Sequence, residues 1–481
     1  MVVAVAAAAS GWLIPGDPPA ASLEQHARGV SERVEERLAR DGVPGAAVAV
    51  VRAGEIAWVQ GYGVADRHDA APVTSETVFQ AGSISKSLTA WAVLALAERG
   101  LVDLDAPIED QLAGWQLPDS PHPTDGVTPR RLLAHTAGLP FATSGVPTST
   151  AQLRRGDVDP ALFTLEREPG ARFGYSNPGY AVLALLIEDV TGRSFEGVLA
   201  GEVLEPLGMA NSTFAVDEVH EPHAATGYTA DGESVPADWE GPIGASGVHT
   251  TAVDLARFVT AVHDANGQPP GRGVLPPDAL GELHRPHAAT TGVPHALMAE
   301  ASGLGHFVEH LSDSGVTAVA HGGEEEGWVG GYVVVPATGD GMVVLTNSRN
   351  GYPLMTGELA AWAQWRDLGP LHVTRSLDRL AAAARAVAGL LGASAVLLIR
   401  GILVDLRAGA HPLAPRPRPR RIRRLVALVA AGALLLAWWG LLADPVATFL
   451  PQHATWVGLT LTVCAAALVG RALLDPGARL G

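Results

Sequence analysis

Apolar residues recur with two different periods near the start of the chain. Helical spacing holds across residues 22–42, SLEQHARGVSERVEERLARDG, which end in glycine and therefore predict an amphipathic helix. Two apolar runs follow in residues 45–63, GAAVAVVRAGEIAWVQGYG, with Ala53-Gly54 between them. A short break that contains glycine between two such runs is typical of a β-hairpin. The globular part of the chain is therefore predicted to begin with a helix and two paired strands.

The same two periods return near position 350. Residues 330–347, GGYVVVPATGDGMVVLTN, predict a second hairpin, and residues 355–368, MTGELAAWAQWRDL, predict a helix. Strands at both ends, with helical segments between them, indicate an antiparallel sheet assembled from distant parts of the chain. We therefore expect one α+β domain over residues 22–370, with helices packed on the sheet.

Long apolar runs dominate the last quarter of the chain. A transmembrane helix needs about 20 mostly apolar residues. Three runs of nearly that length occupy residues 386–404, 425–443 and 454–470. They predict a membrane domain over 386–481 with three transmembrane helices in contact with a lipid bilayer, joined to the globular part by a linker at 371–385. Three buried helices of a soluble domain are the alternative interpretation.

The arginines around these runs predict the orientation. Seven arginines lie from Arg407 to Arg424, whereas the loop between the second and third runs has none. Positively charged loops stay on the cytoplasmic side, so loop 405–424 should be cytoplasmic and the globular domain extracellular. Residues 1–21 form a signal-like apolar segment, although a basic start is missing. The chain is thus expected to be a multi-pass protein of the cell membrane.

Charge and residue spacing exclude several classes of partner. Residues 371–481 carry 13 Arg and 4 Asp, which leaves residues 1–370 with a net charge of −26. So acidic a surface repels phosphates, and we expect no nucleic-acid partner. The histidines lack the H-E-x-x-H spacing, and the one cysteine, Cys464, lies in an apolar run. We therefore expect neither a metal site nor a cofactor.

The only lysine of the chain, Lys86, follows Ser83 by three positions at the head of a predicted helix that ends at Gly100. Residues three apart lie on one helix face, so the two side chains should be adjacent. A serine hydroxyl becomes a nucleophile when a base removes its proton. Lysine can be that base when burial lowers its pKa from about 10.4, whereas arginine stays charged. A chance S-x-x-K sequence is the alternative interpretation.

Two further motifs follow in order. Y-S-N at residues 175–177 precedes a predicted helix, and H-G-G at 321–323 precedes the second hairpin. Together with S-x-x-K, they resemble the serine β-lactamase and penicillin-binding protein family, specifically its class C branch, over about residues 24–368. The resemblance implies a β-lactamase/transpeptidase-like fold, in which an antiparallel β-sheet flanked by helices is joined to an all-helical domain.

The resemblance also implies a serine hydrolase that works through an acyl-enzyme. The implied site contains Ser83 as nucleophile, Lys86 and Tyr175 for proton transfer, Asn177, His321, Gly322 and Gly323 for substrate binding, and the backbone N–H groups of Ser83 and Glu324 as the oxyanion hole. Tyr175 could act as a base if cations hold it as a phenolate, and Asn177 would hydrogen-bond Lys86 and the substrate amide. A core tyrosine and a capping asparagine are the structural alternatives, and His135 is interpreted as a packing residue.

Three glutamates at residues 324–326 depart from the family pattern, which commonly has a small residue there. Acid at this place would repel the carboxylate of a β-lactam or a D-alanyl-D-alanine peptide, and His321 is a less dependable cation than lysine. Both features favour an ester, an amide or a substrate that bears an amine, unless the glutamates point into solvent. A β-lactamase or D-alanyl-D-alanine carboxypeptidase is the alternative, and a membrane ligand sensor without turnover is the second alternative.

Overall fold

The structure, a computed structural model, describes residues 22–214, 223–235, 241–265, 267–408, 411–412, 418–442 and 451–475. The predicted signal-like segment at 1–21 and part of the arginine-rich loop lie outside these ranges. The chain divides into two units, Met1–Thr374 and Arg375–Gly481.

The described part of the first unit contains ten strands. They are β1 (Gly45–Arg52), β2 (Glu55–Gly63), β3 (Phe79–Gln80), β4 (His249–Thr250), β5 (Ala288–Ala289), β6 (Ala301–Ser302), β7 (Phe307–Leu311), β8 (Val316–Glu325), β9 (Trp328–Val335) and β10 (Asp340–Thr346). β3 pairs with β4, and the other eight form one antiparallel sheet in the order β2-β1-β10-β9-β8-β7-β6-β5. The N-terminal hairpin therefore lies directly beside the C-terminal one, and the predicted α+β fold is confirmed.

Both predicted hairpins are present. Ala53 and Gly54 join β1 to β2 with φ angles of 50° and 76°. Two successive positive φ angles are the geometry of a type I′ turn, whose twist matches that of the flanking strands. The second hairpin, β9 with β10, agrees with the predicted range 330–347 to within two residues.

Helices pack on both faces of the sheet. They are α1 (Leu23–Asp41), α2 (Ser85–Glu98), α3 (Pro129–Leu133), α4 (Thr150–Arg155), α5 (Pro178–Thr191), α6 (Phe195–Leu199), α7 (Ala252–Thr260), α8 (Pro277–Leu283), α9 (His295–Met298) and α10 (Tyr352–Trp365). A Cβ placed on Gly341 would meet Val259 of α7, and one placed on Gly331 would meet Met355 of α10. Because these glycines lie on opposite faces of adjacent strands, α7 and α10 cover opposite sides of the sheet.

Local signals explain the ends of the predicted helices. Ser22 and Gln25 form a capping box at the start of α1, and Gly42 ends it with φ 70°, so the helix predicted over 22–42 is confirmed. The helix predicted over 355–368 begins earlier, at Tyr352. Pro353 lies in the first turn of this helix. The backbone N–H groups of a first turn have no partner within the helix, so a proline, which has no N–H, is well tolerated there.

Three helices follow at the C-terminus: α11 (His372–Arg407), α12 (Arg418–Ala437) and α13 (Pro451–Leu473). Residues 372–385, most of the predicted linker, form the first part of α11. Two short strands, His411–Pro412 and Leu474–Asp475, pair with each other. Gly458 of α13 gives room to Trp438 and Trp439, whose rings would collide with a Cβ at that position.

Within the described ranges, two helices are long and apolar enough to cross a membrane by length and composition, His372–Arg407 and Ala454–Arg471. The predicted spans 386–404 and 454–470 lie in these two helices. For the predicted middle span 425–443, the apolar helix found among the described residues is the shorter segment Ala431–Gly440.

Candidate active site

Ser83 lies in a tight turn at the head of a buried helix. Residues Gly82–Ile84 form one 3₁₀ turn that runs into α2. Gly82 has φ 53°, and a Cβ there would lie 2.7 Å from the backbone nitrogen of Glu324. Glycine is needed here for two reasons: it tolerates the positive φ angle, and its lack of a Cβ leaves room for the backbone of β8. The turn brings Gly82, the residue before Ser83, next to the backbone of Glu324, the other residue of the predicted oxyanion hole.

Lys86 lies wholly inside the protein, on the first turn of α2. Its Nζ is 3.1 Å from Ser83 Oγ and donates a hydrogen bond of 2.9 Å to the carbonyl of Ala245. Burial lowers the pKa of Lys86 to about 7, and the negative charge of Glu325 opposes this shift. Near neutral pH, a large share of Lys86 is therefore a neutral amine beside a serine hydroxyl, and a neutral amine can accept a proton.

Tyr175 is held between two imidazole rings. Its ring stacks on His135 at 4.2 Å between centroids and on His295 at 4.3 Å. Burial raises the pKa of Tyr175, and a hydrogen bond with Ser83 offsets part of the rise. Lys86 Nζ lies 4.8 Å from the centre of the same ring. Ser83, Lys86 and Tyr175 are thus brought together, with Tyr175 as a neutral phenol.

Asn177 lies at the start of α5, two residues after Tyr175. Its Nδ2 donates a 2.7 Å hydrogen bond to the carbonyl of Ala142. The predicted hydrogen bond to Lys86 is absent among the described residues, where the Lys86 amine contacts Ser83 Oγ and the carbonyl of Ala245. Asn177 Oδ1 is buried and has no hydrogen-bond partner within the described residues. A buried acceptor without a partner suits a donor that arrives with a ligand.

β8 forms the wall opposite Ser83. β7 pairs with β8 only as far as Ala320, so the strand from His321 onward has a free edge on that side within the described ladder. A Cβ on Gly323 would lie 1.9 Å from the carbonyl oxygen of Ala81, whereas the nearest atom to one on Gly322 is Met298 Cε at 3.7 Å. Gly323 is therefore required by close packing of β8 on the turn before α2, a role the sequence analysis did not foresee. Gly322 has open space.

His321 is buried in the same strand. Its Nδ1 lies 2.7 Å from the carbonyl oxygen of Gly322, and its ring packs 5.0 Å from that of Phe307. Burial, and then the charge of Lys86, lowers the pKa of His321 to about 3. His321 is therefore neutral at physiological pH and provides no positive charge for a substrate carboxylate.

The three glutamates after the glycines have different surroundings. Glu324 pairs with Arg349, which compensates its charge, and Glu326 is exposed. Glu325 is half-buried, and its charge acts on both Lys86 and Tyr175. Glu324 also acts on Tyr175, so two of the three glutamates contribute negative potential to the site, and only the charge of Glu325 acts on Lys86 as well.

Sequence reasoning missed His295 and underestimated His135. His135 Nδ1 accepts a 3.2 Å hydrogen bond from the backbone of Ser176, so it fixes the Y-S-N loop as well as packing against Tyr175. His295 lies 120 positions after Tyr175 in the sequence VPHALM, where no local pattern indicates contact with the site. Among the residues that the structure describes, no group of three or more His, Cys, Asp or Glu could hold a metal ion.

Comparison with known proteins gives the same family over most of the chain. Residues 30–364 match the sequence model of the family described as Beta-lactamase. Penicillin-binding protein 4 of Amycolatopsis lactamdurans is 31% identical over 333 residues, which are 66% of this chain and 84% of that protein. Protein flp of Staphylococcus aureus (strain NCTC 8325 / PS 47) is 25% identical over 332 residues, 66% of this chain and 62% of flp. The chain thus matches about three fifths of the length of flp.

A solved structure extends the likeness to the fold. The octameric penicillin-binding protein homologue from Pyrococcus abyssi superposes with a TM-score of 0.62 and 26% identity, covering 72% of this chain and 78% of that one. The matched region contains the S-x-x-K serine, the Y-S-N loop and the H-G-G strand. The chain therefore belongs to the Beta-lactamase family.

Proposed function

We propose that the chain is a membrane-anchored, outward-facing serine hydrolase that acts through an acyl-enzyme on an ester, amide or peptide. The contact that carries this proposal is the 3.1 Å approach of Lys86 Nζ to Ser83 Oγ, in a site where burial lowers the pKa of the lysine to about 7. A neutral amine within hydrogen-bond reach of a serine hydroxyl is a base beside a nucleophile.

The proposed first step forms a bond from Ser83 Oγ to the substrate carbonyl carbon while the serine proton passes to Lys86 Nζ. The backbone N–H groups of Ser83 and Glu324 stabilise the oxyanion. When the bond from carbon to the leaving group breaks, the leaving group takes the proton of the Tyr175 hydroxyl, which a proton from Lys86 replaces. Water then attacks the acyl carbon and gives its proton to Lys86. The bond from that carbon to Ser83 Oγ breaks, the proton passes to Oγ, and the acid is released.

Lys86 is a better base than Tyr175 in these surroundings. A phenolate would need nearby cations, but His135, His295 and His321 all have lowered pKa values because burial disfavours their charged forms. The pKa of Tyr175 itself is raised. Tyr175 is therefore assigned to proton relay and Lys86 to proton abstraction.

The charges of the site favour a substrate without a carboxylate near the scissile bond. Glu325 contributes negative charge, and the pKa of His321 is too low for a positive charge at neutral pH. Asn177 Oδ1 offers an acceptor for a substrate N–H, which suits an amide or peptide. A β-lactamase or D-alanyl-D-alanine carboxypeptidase is the second candidate, because a relative 31% identical is named as a penicillin-binding protein.

Membrane anchoring is proposed from the C-terminal helices. α11 and α13 are long and apolar enough to span, and the arginines from Arg407 to Arg424 follow the first of them. Because positive loops stay inside, α11 would run inward and the hydrolase unit would face outward.

The acid limb of the pH–rate profile should follow the pKa of Lys86, the proposed base. Activity should rise with pH through about 7, as Lys86 loses its proton. Because the charge of Glu325 raises this pKa, Glu325→Gln should lower the pKa of Lys86 and move the acid limb to lower pH. The exposed control Glu326→Gln should leave the limb in place. The measurement is kcat/KM for an active ester from pH 5 to 9, and a limb that moves upward in Glu325→Gln would contradict the assignment.

Intact mass spectrometry tests the nucleophile and separates the two candidate functions. The purified full chain is incubated in detergent with a fluorophosphonate, with benzylpenicillin and with p-nitrophenyl acetate, beside Ser83→Ala. We expect a phosphonate adduct and ester hydrolysis in the wild type only, without a lasting penicillin adduct or penicillin hydrolysis. Acylation or hydrolysis of penicillin that needs Ser83 would instead favour the β-lactamase or carboxypeptidase function. No adduct and no turnover with any reagent would reject the hydrolase proposal and leave the ligand sensor.

A further inference from the structure

The two imidazoles that hold Tyr175 differ in how they are fixed. His135 is sealed inside the first unit and is hydrogen-bonded to the Y-S-N loop. His295 is half-buried, stacks on Tyr175 with an interplanar angle of 20°, and meets Phe141 and Phe173 edge-on. One side of the tyrosine is therefore supported by the core, and the other by a residue at the rim of the site.

His295 lies in the segment that connects the two edge strands β5 and β6. β5 and β6 pair at its base, and the residues between them, 290–300, form an arm that includes α9. Thr291 Oγ1 donates a 3.1 Å hydrogen bond to the carbonyl of Phe173, two residues before Tyr175. The arm is thus attached at one end to the segment that carries Tyr175.

The other attachment of the arm is the start of α11. His372, the first residue of that helix, donates from Nε2 to the carbonyl of Ala296, next to His295, at 3.0 Å. The backbone nitrogen of His372 in turn donates to a carboxylate oxygen of Glu309 at 2.6 Å. Leu371 lines the same apolar cavity as Met298 of the arm. Polar and apolar contacts therefore tie the arm to the residues where the long C-terminal helix begins.

We propose that His295 is a positioning residue for Tyr175 and that His372 latches the arm which carries it, so that the start of the C-terminal helix sets the geometry of the active site. This inference rests on the proposed role of Tyr175 in proton relay. A phenol supported on one face only can rotate away from Ser83, and small displacements of a reacting group cost large factors in rate. The first residue of α11 would therefore act on the active site, in addition to any role of this helix in membrane anchoring.

Steady-state kinetics of the full chain in detergent, with p-nitrophenyl acetate, test this coupling. His295→Ala should lower kcat about 10- to 100-fold with little change in KM, because position and not binding is lost. His295→Phe keeps a ring in the stack and should restore most of kcat. His372→Ala should lower kcat in the same direction, and the double variant with His295→Ala should be no slower than His295→Ala alone. The matched control is His68→Ala, an exposed histidine outside the site.

The outcomes separate this inference from the proposed function. Fluorophosphonate labelling of Ser83 in the wild type reports the nucleophile independently of the arm. If Ser83 is labelled but His295→Ala retains wild-type kcat, the positioning role is wrong and the hydrolase proposal stands. Effects of His295→Ala and His372→Ala that multiply in the double variant would show that the latch does not act through His295. If wild-type Ser83 is not labelled, the proposed function itself fails.

Discussion

Lys86→Arg should lower kcat/KM by about 10³-fold, which is within the range for loss of a general base. Arginine keeps the positive charge and the approximate size of lysine but cannot release its proton at any pH at which the protein is folded. In the wild type, Nζ lies 3.1 Å from Ser83 Oγ, so the lost function is proton abstraction from the nucleophile. The measurement is kcat/KM for an active ester between pH 6 and 9.

A reverse exchange just after the end of the same helix provides the control. Arg99 follows the end of α2 and pairs on the surface with Glu202, so Arg99→Lys should leave kcat/KM within about twofold of the wild type, as exposed ion pairs contribute little. Thermal unfolding shows whether Lys86→Arg is folded at the assay temperature. A folded Lys86→Arg variant with more than a tenth of wild-type activity would rule out Lys86 as the base.

Gly323→Ala is expected to lower both stability and activity. The new Cβ would lie 1.9 Å from the carbonyl oxygen of Ala81, so β8 must move away from the turn that carries Ser83. Forced displacement of this kind costs about 1–3 kcal/mol of unfolding free energy. It also separates the two proposed oxyanion donors, and loss of one such donor lowers kcat by about 10²- to 10³-fold.

Gly322→Ala, one position earlier, is the matched control. A Cβ there has Met298 Cε at 3.7 Å as its nearest neighbour, which is an ordinary contact with the end of a flexible side chain. Its unfolding midpoint should therefore stay close to that of the wild type. Equal effects of the two substitutions would mean that β8 and the turn do not hold the geometry described above.

The features that were predictable from sequence depend on neighbours within a few positions. Ser83 and Lys86 are three residues apart at the head of one helix, and the pair followed from helical geometry together with the unique lysine. The turn that contains Gly54 and the cap at Gly42 likewise follow from glycine, which tolerates positive φ.

Features that depend on contacts between distant segments escaped prediction. The Ala245 carbonyl that binds Lys86 and the His295 ring that stacks on Tyr175 come from segments more than 100 positions away, and no periodic pattern marks them. The role of Gly323 depends on a carbonyl oxygen in another segment, which a family motif does not reveal.

Direct titration of Lys86 tests the central claim, that the only lysine is a neutral base at working pH. Because the chain has one lysine, protein labelled with [ε-¹³C]lysine gives one side-chain resonance, assigned without further variants. Its chemical shift is followed from pH 5 to 11 in the folded full chain. We expect an apparent pKa of about 7, and a lower value in Glu325→Gln. A pKa near the ordinary value of about 10.4 would contradict the claim, because Lys86 would then be an ammonium unable to take the proton of Ser83.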